Sequence, residues 1–458
     1  MKPLAFAAAA FILAACNAGT SQGMPSLPSV RPGAQSHRSL RSHGSPISHI
    51  VLIVQENRTF NNLFATFPGT VGTTTGKELV GGNVKSIKLT EVPLESPRTL
   101  RHTYTGYRIG YNGGQMDGFN RIRFLTTGKY EGALPYEYVD PADVAPYWAI
   151  ATDYAIADHM FTTQGSSSFP AHQDLIRGGT AIDSTESLID DPNKTPWGCP
   201  APPGTTTELI TTALKYERHG PPPCTSDFPS SGNYQTLQEL LDAKKVSWKY
   251  YTPAYEGNTG AMWNAFLVIA SVFDNKTEWN AHISQPETNI FTDISNGALP
   301  SMSWVIPDAF NSDHSGYKSD TGPSWVASVV NAIGQSSYWN STAIVIVWDD
   351  WGGFYDEVKP PKPDNQGGPG LRVPMLIVSP YVGQNEISHE AFEFGSIVRF
   401  IEDTWNLGRL GTTDETTKSI ASMFDFKQSP RSFITIPSSH SKAFFLHQKP
   451  SGLPVDDE

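Results

Sequence analysis

The feature that most limits what this chain can become is the run Ile344-Val345-Ile346-Val347-Trp348, which passes without a spacer into Asp349-Asp350-Trp351-Gly352-Gly353. An unbroken apolar, mostly β-branched run describes a strand covered on both faces, as in a sheet held between helices. Two adjacent carboxylates at its carboxyl end, followed by glycines that allow a sharp turn, stand where open α/β sheets gather their ligands. A second run has the same build: Ile50-Val51-Leu52-Ile53-Val54 leads directly into Gln55-Glu56-Asn57-Arg58. If both strands belong to one parallel sheet, Glu56, Asn57, Asp349 and Asp350 converge although they are far apart in the chain. The plainer alternative is that each polar pair only caps its own strand.

With 458 residues and 38% hydrophobic content, the chain has enough apolar mass for one large α/β domain or two smaller ones. Its formal net charge is -12 and it has no lysine- or arginine-rich run, so the electrostatic basis for nucleic-acid binding is missing and no nucleic acid is expected as a partner. The 39 glycines, 36 prolines and 11% aromatic content point to long structured loops over the sheet, where specificity tends to reside.

At the amino end, Met1-Lys2-Pro3 precedes an apolar stretch from Leu4 to Leu13, and Leu13-Ala14-Ala15-Cys16 has the form of a bacterial lipoprotein signal cleaved before Cys16. An ordinary secretory signal is the alternative, and both export the protein. The apolar stretch is too short to remain as a membrane-spanning helix. Asn17 carries no aspartate-type retention cue, which points to the outer membrane. The expected organisation is a signal at 1–15, a Ser/Pro/Gly/Arg-rich tether at 16–47, one domain at 48–440 and a tail at 441–458. His37 and His43 lie in the tether and receive no role. Cys199 and Cys224 lie in Pro/Gly-rich loops; in an exported chain a local disulfide is the natural reading, with metal binding the lesser one.

Further chemistry is concentrated in Gly165-Ser166-Ser167-Ser168-Phe169-Pro170-Ala171-His172-Gln173. Serines followed by a proline predict a helix start at about Phe169 to Ala171, where open amides and the helix dipole could hold a phosphate under attack by a serine. An N-cap beside a flexible serine turn explains the same residues. His102 precedes a Gly-rich turn, and His314 lies just past the strand-like Ser303-Trp304-Val305-Ile306; lone histidines are commonly structural. Trp325 to Ile333 predicts the helix of a βαβ unit ending in the Asp349 strand. Val373 to Pro380 predicts another strand, and Phe392 to Trp405 another helix.

These pieces, namely Glu56-Asn57-Arg58-Thr59-Phe60, Asn112 to Phe119, Gly165 to Gln173, Asp349 to Pro361, and Arg372-Val373-Pro374 through Ser379-Pro380, give the chain a resemblance to the phosphoesterase family of bacterial phospholipases C and acid phosphatases, within the alkaline-phosphatase-like superfamily. The resemblance spans about residues 48 to 435. It implies an α/β fold with a mainly parallel central sheet, helices on both faces and long loop insertions. It also implies an exported hydrolase that cleaves phosphate esters through a phosphoserine, with one divalent metal ion held by Glu56, Asn57, Asp349, Asp350 and the nucleophile. Counting back from Pro170 makes the nucleophile Ser168. The loop is one residue longer than the usual Gly-x-Ser-x-Pro form, which keeps Ser167 in contention.

In the same resemblance, His102 and His314 match histidines that contact phosphoryl oxygens or assist the leaving group. The all-oxygen donor set favours Mg, Ca or Mn, with zinc still open. Two positions depart from the family pattern: Asn61 stands where aspartate is common, and Asp356-Glu357-Val358 where Asp-His-Val is common. The expected partners are a phosphate ester, either a phospholipid or a soluble monoester, and a membrane reached through lipidated Cys16. The rival reading is a catalytically inactive surface lipoprotein that keeps the fold as a binding module, with Glu357 as the sign of that drift.

Overall fold

In the computed structural model, residues 45–224, 234–255, 263–361 and 363–453 are described; the expected signal segment with Cys16, and His37 and His43 of the expected tether, lie outside them. The central sheet is built from β1 (His49–Gln55), β2 (Ala155–Phe161), β3 (Trp248–Tyr251), β4 (Ile283–Ser284), β5 (Met302–Val305), β6 (Thr342–Trp348), β7 (Arg372–Val378), β8 (Glu386–Ser388) and β9 (Phe392–Glu393). Their order is β4-β3-β5-β1-β6-β7-β2-β8, with β9 also on β2. The two apolar runs are parallel neighbours, in register from His49 opposite Thr342 to Gln55 opposite Trp348, so Glu56 and Asp349 leave the sheet side by side. Only β7 runs against the other strands, antiparallel to both β6 and β2. Pro374 lies inside β7 and cannot donate to a ladder, and the register with β2 shifts at that residue.

Helices cover both faces, as the unbroken apolar runs require. Trp348 packs edge-on against Tyr147 of α1 (Ala145–Asp153) with ring centroids 4.9 Å apart. Trp304 of β5 donates its indole N–H to the Leu175 carbonyl of α2 (Ser168–Arg177) at 3.3 Å. In the ladders Trp348 pairs with Gln55 and Trp304 with Leu52. Positions 52 and 55 have opposite parity on β1, so α1 and α2 lie on opposite faces.

The crossover from β5 to β6 is α3 (Gly322–Gly334), which begins ahead of the predicted Trp325. The helix predicted from Phe392 begins at Phe394, as α4 (Phe394–Trp405), because Phe392 and Glu393 first pair as β9 and Glu393 then caps the helix. Residues 441–453, set apart in the sequence as a tail, pack on the domain. There α5 (Lys442–His447) places Phe445 against Trp325 at 5.4 Å, and Asn311 donates to Gln448 at 2.8 Å.

Candidate active site

The site is made by strand alternation. Gln55, the last residue of β1, turns toward α1 and donates from Nε2 to the Tyr147 hydroxyl at 3.1 Å. The next residue, Glu56, therefore turns to the α2 face, where Oε1 lies 3.0 Å from Nε2 of His172. Asn57 then takes a left-handed conformation (φ 54°), which asparagine tolerates better than most residues. Its N–H donates to Asp349 Oδ1 at 3.0 Å, and the Asp349 N–H donates back to the Gln55 carbonyl at 2.9 Å, stitching the two strand ends together. Gly352 (φ 58°) is required at the following turn, since a Cβ there would lie 2.0 Å from the Asn57 carbonyl oxygen. Its N–H donates to Asp350 Oδ1 at 2.7 Å.

Ser168, the first residue of α2, points into this cluster. Its Oγ lies 3.3 Å from Asp350 Oδ2 and 3.5 Å from Glu56 Oε2, and Asn57 Nδ2 donates to it at 3.4 Å. Ser167 instead donates its hydroxyl to Asp191 Oδ1 at 2.8 Å, and Ser166 donates to Asp190 Oδ1 at 3.0 Å. Geometry thus brings Ser168, not Ser167, to the strand-end oxygens.

Of the open amides expected at the helix start, one is taken by a side chain and one position has no N–H. Phe169 N–H donates to Asp191 Oδ1 at 3.3 Å, Ala171 N–H donates to the Ser167 carbonyl at 3.3 Å, and Pro170 has no N–H. A carboxylate from a neighbouring loop occupies the place where an anion would otherwise be drawn by the dipole.

His102 belongs to the cluster. Its Nδ1 donates to the Leu100 carbonyl at 2.8 Å, which leaves Nε2 to accept from Asn57 Nδ2 at 2.9 Å and places it 3.7 Å from Asp350 Oδ2. His314 stands further out, with its ring centroid 6.1 Å from that of His102 and 4.9 Å from Tyr317. Its Nδ1 donates to the Ser315 carbonyl at 2.5 Å. The residue before it, Asp313, is buried below the site, where Tyr147 donates to Oδ2 at 2.7 Å and Trp348 at 3.2 Å. Burial pushes its carboxyl up to about 6, against the pull of those donors and of Arg58.

The sequence alone assigns His172 no role. It lies one turn after Ser168 on the same helix face, so the spacing Ser168-x-x-x-His172 is the available signal. Its Nε2 also comes within 3.9 Å of Asp349 Oδ2, and Glu56, His172 and Asp349 each offer a ligand atom within 4.8 Å of the others. Beside the oxygen donors expected from the sequence, this places one imidazole nitrogen within reach of the same point.

The donors fit a divalent cation. Glu56, Asp349 and Asp350 are fully buried, and burying three carboxylates together is costly without compensating positive charge. Asp349 Oδ2 and Asn57 Oδ1 are buried without a hydrogen-bond partner, oxygens that a cation would satisfy. The two sequence departures have contacts of their own. Asn61 accepts from the Thr73 N–H at 2.8 Å and donates to the Thr73 carbonyl at 3.1 Å, a donation an aspartate could not make. Glu357 accepts from Arg372 at 3.2 Å; burial, followed by the Asp356 charge, pushes its carboxyl up to about 8.

Comparison with known proteins bears on what such a cluster does. The model of the Phosphoesterase family matches residues 47–408. The chain is 24% identical to the non-hemolytic phospholipase C of Burkholderia pseudomallei over 79% of its own length, a match spanning 55% of that relative. It is 23% identical to phospholipase C B of Mycobacterium tuberculosis, covering 90% of this chain and 82% of that one. Among solved structures, a protein in the alkaline phosphatase superfamily from Vibrio parahaemolyticus aligns over 84% of this chain and 73% of that one, with a TM-score of 0.37 and 10% identity.

Proposed function

The chain belongs to the Phosphoesterase family, whose members hydrolyse phosphoric esters, and on that premise we propose an exported, metal-dependent hydrolase that works through a phosphoserine at Ser168. The observation that carries this reading is the convergence of Ser168 Oγ on Glu56, Asn57 and Asp350 within 3.5 Å. Glu56, Asn57, Asp349, Asp350 and Ser168 would hold one divalent ion, with His172 as an added nitrogen donor or as the group that orients Glu56. Such an ion, when bound, supplies Lewis-acid stabilisation of phosphoryl charge and acidifies a nearby hydroxyl.

The chain's own residues account for the remaining roles. Ser168 Oγ gives its proton toward Asp350 Oδ2, the nearest carboxylate oxygen, and attacks phosphorus in line as the bond to the leaving oxygen breaks. Asn57 Nδ2 aims a hydrogen bond at the reacting oxygen. His102 holds that amide in place and, with His314 beyond it, lines the side from which the leaving oxygen takes up a proton. Water then hydrolyses the phosphoserine, restoring the serine hydroxyl and releasing phosphate or a phosphomonoester.

The relatives' names favour a phospholipid as substrate, and lipidation at Cys16 would keep the enzyme at a membrane surface. The donor cluster around Ser168 is complete, which favours this reading over an inactive binding module. Ser168→Ala and Asp349→Ala should each lower hydrolysis by about a thousandfold or more while leaving the fold intact, and Ser167→Ala should be mild. Near-normal turnover in Ser168→Ala with loss in Ser167→Ala would move the nucleophile by one residue, and near-normal turnover in both would overturn the serine mechanism. Parallel assays on phosphatidylcholine vesicles and on a soluble phosphate monoester divide phospholipase C from acid phosphatase chemistry. Intact-mass analysis of membrane-extracted protein should show acylated Cys16; an unmodified terminus removes the lipoprotein reading.

A further inference from the structure

Strand β2 breaks its ladder in the middle. Phe161 faces Arg372, Met160 faces Val373 and Ala157 faces Met375, so Asp158 and His159 together stand opposite the single residue Pro374. In an unbroken strand, consecutive side chains point to opposite faces and cannot meet. A two-for-one bulge cancels that alternation, and a proline opposite it has no N–H to lose. Asp158 Oδ1 accordingly lies 2.6 Å from Nδ1 of its own neighbour His159. On the other side of β2, Ser388 of β8 pairs with Ala157, which brings His389 alongside, and its Nδ1 lies 2.8 Å from Asp158 Oδ2.

One carboxylate thus stands between two imidazoles, with the three ligand atoms within 4.8 Å of one another. The Asp158 carboxylate is fully buried, whereas the side chains of His159 and His389 are 24% and 52% exposed, which leaves an approach from solvent. Further contacts fix the carboxylate and the strand around it. Val71 N–H donates to Asp158 Oδ2 at 2.9 Å, and Arg372 Nη1 donates to the carbonyls of Val71 at 2.9 Å and Asp158 at 2.8 Å.

From this arrangement we propose that Asp158, His159 and His389 form a second divalent-metal site, suited to Zn2+ or a similar borderline ion and sharing no residue with the Ser168 cluster. Two imidazole nitrogens, one carboxylate oxygen and a solvent-side position for water make a four-coordinate set that such ions favour. On binding, each neutral ring carries its single proton at Nε2, so a proton at Nδ1 either passes to Nε2 through solvent or, from a doubly protonated ring, is released to water, and the freed Nδ1 lone pair turns to the ion in place of its contact to the carboxylate. The ion would tie β2 to the segment after β8. Through Arg372, whose Nε and Nη2 also grip Asp356 at 2.9 and 3.2 Å, the tie extends to the chain that follows Asp349 and Asp350.

The test is a count of bound zinc in the full mature chain, stripped with chelator, reloaded with Zn2+ and desalted. Wild type should retain one equivalent more than His389→Ala and one more than His159→Ala, while His440→Ala, a histidine outside the cluster, matches wild type. Because the readout is a difference between variants, it stands whether or not the strand-end cluster proves to hold metal. Equal zinc content in wild type and His389→Ala, with both melting cooperatively, overturns the proposal; so does an equal loss in His440→Ala. Retention in each single variant with loss only in the double variant would show adventitious histidine binding and overturn it as well.

Discussion

His172 and Glu287 show how much depends on where a single titratable side chain is buried. His172 Nε2 faces Glu56 and Asp349, so His172→Ala should weaken metal binding by about 10- to 100-fold, read by equilibrium dialysis, with an unchanged circular-dichroism spectrum. Unchanged affinity would leave His172 a packing residue. Glu287 is buried, and that burial, then the charge of Asp308, pushes its carboxyl from the ordinary 4.5 up to about 8. Between those two values the folded chain holds a proton that the unfolded chain has released, so this group makes stability fall as pH rises through that window. Glu287→Gln, which mimics the protonated form, should therefore raise Tm by about 2 to 4 °C at pH 8 and leave it nearly unchanged at pH 4.5. An equal shift at both pH values would mean that the effect is one of packing.

At the scale of elements, the site depends on two turns that hold a strand end and a helix start together. Gly352 follows the Asp pair at φ 58°, against the Asn57 carbonyl. Gly352→Ala should lower both Tm and hydrolysis sharply, because the 2.0 Å approach forces the Asp349 loop away from Asn57. Gly82→Ala is the control: φ is 81° but nothing lies within 4 Å of the new Cβ, so it should cost only about 1 kcal/mol of backbone strain and no activity. If both variants behave alike, the close approach at Gly352 is not what holds the loop. The start of α2 is held in the same way by Asp191, which accepts from Ser167 and Phe169 and so settles which serine hydroxyl is left facing the carboxylates.

For the molecule as a whole, the segment between α2 and β3 carries a small three-stranded antiparallel sheet separate from the central one, and Cys199 and Cys224 are joined within it with Cα atoms 4.6 Å apart. Replacing both with serine should cost about 3 kcal/mol of stability from the added freedom of the unfolded chain, read as a lower denaturation midpoint. Peptide mapping without reduction should recover the two cysteines linked. Trp197, two residues before Cys199, packs on Phe169 at 5.4 Å, so the same double variant should also raise KM by loosening the wall beside Ser168. An unchanged KM would confine the disulfide to stability.

What is legible in the sequence is what local physics determines. Apolar runs too continuous for a half-wet sheet set the two buried strands, and residues joined to them by peptide bonds have to emerge at their ends, so the sequence places Glu56-Asn57 and Asp349-Asp350 each at a strand end, and the parallel pairing of β1 with β6 brings the two pairs together. Ser168 falls at a helix start by the same local reasoning, but its separation from Ser167 depends on Asp191, which reaches it from another loop. His172 is legible only as a spacing, because its meaning needs Glu56 on the facing strand. The contact of Asp191 on the Phe169 amide, the reversed direction of β7 and the meeting of Asp158, His159 and His389 are left to tertiary structure. Each depends on register between segments distant in sequence, and a shift of one residue in a strand sends a side chain to the opposite face.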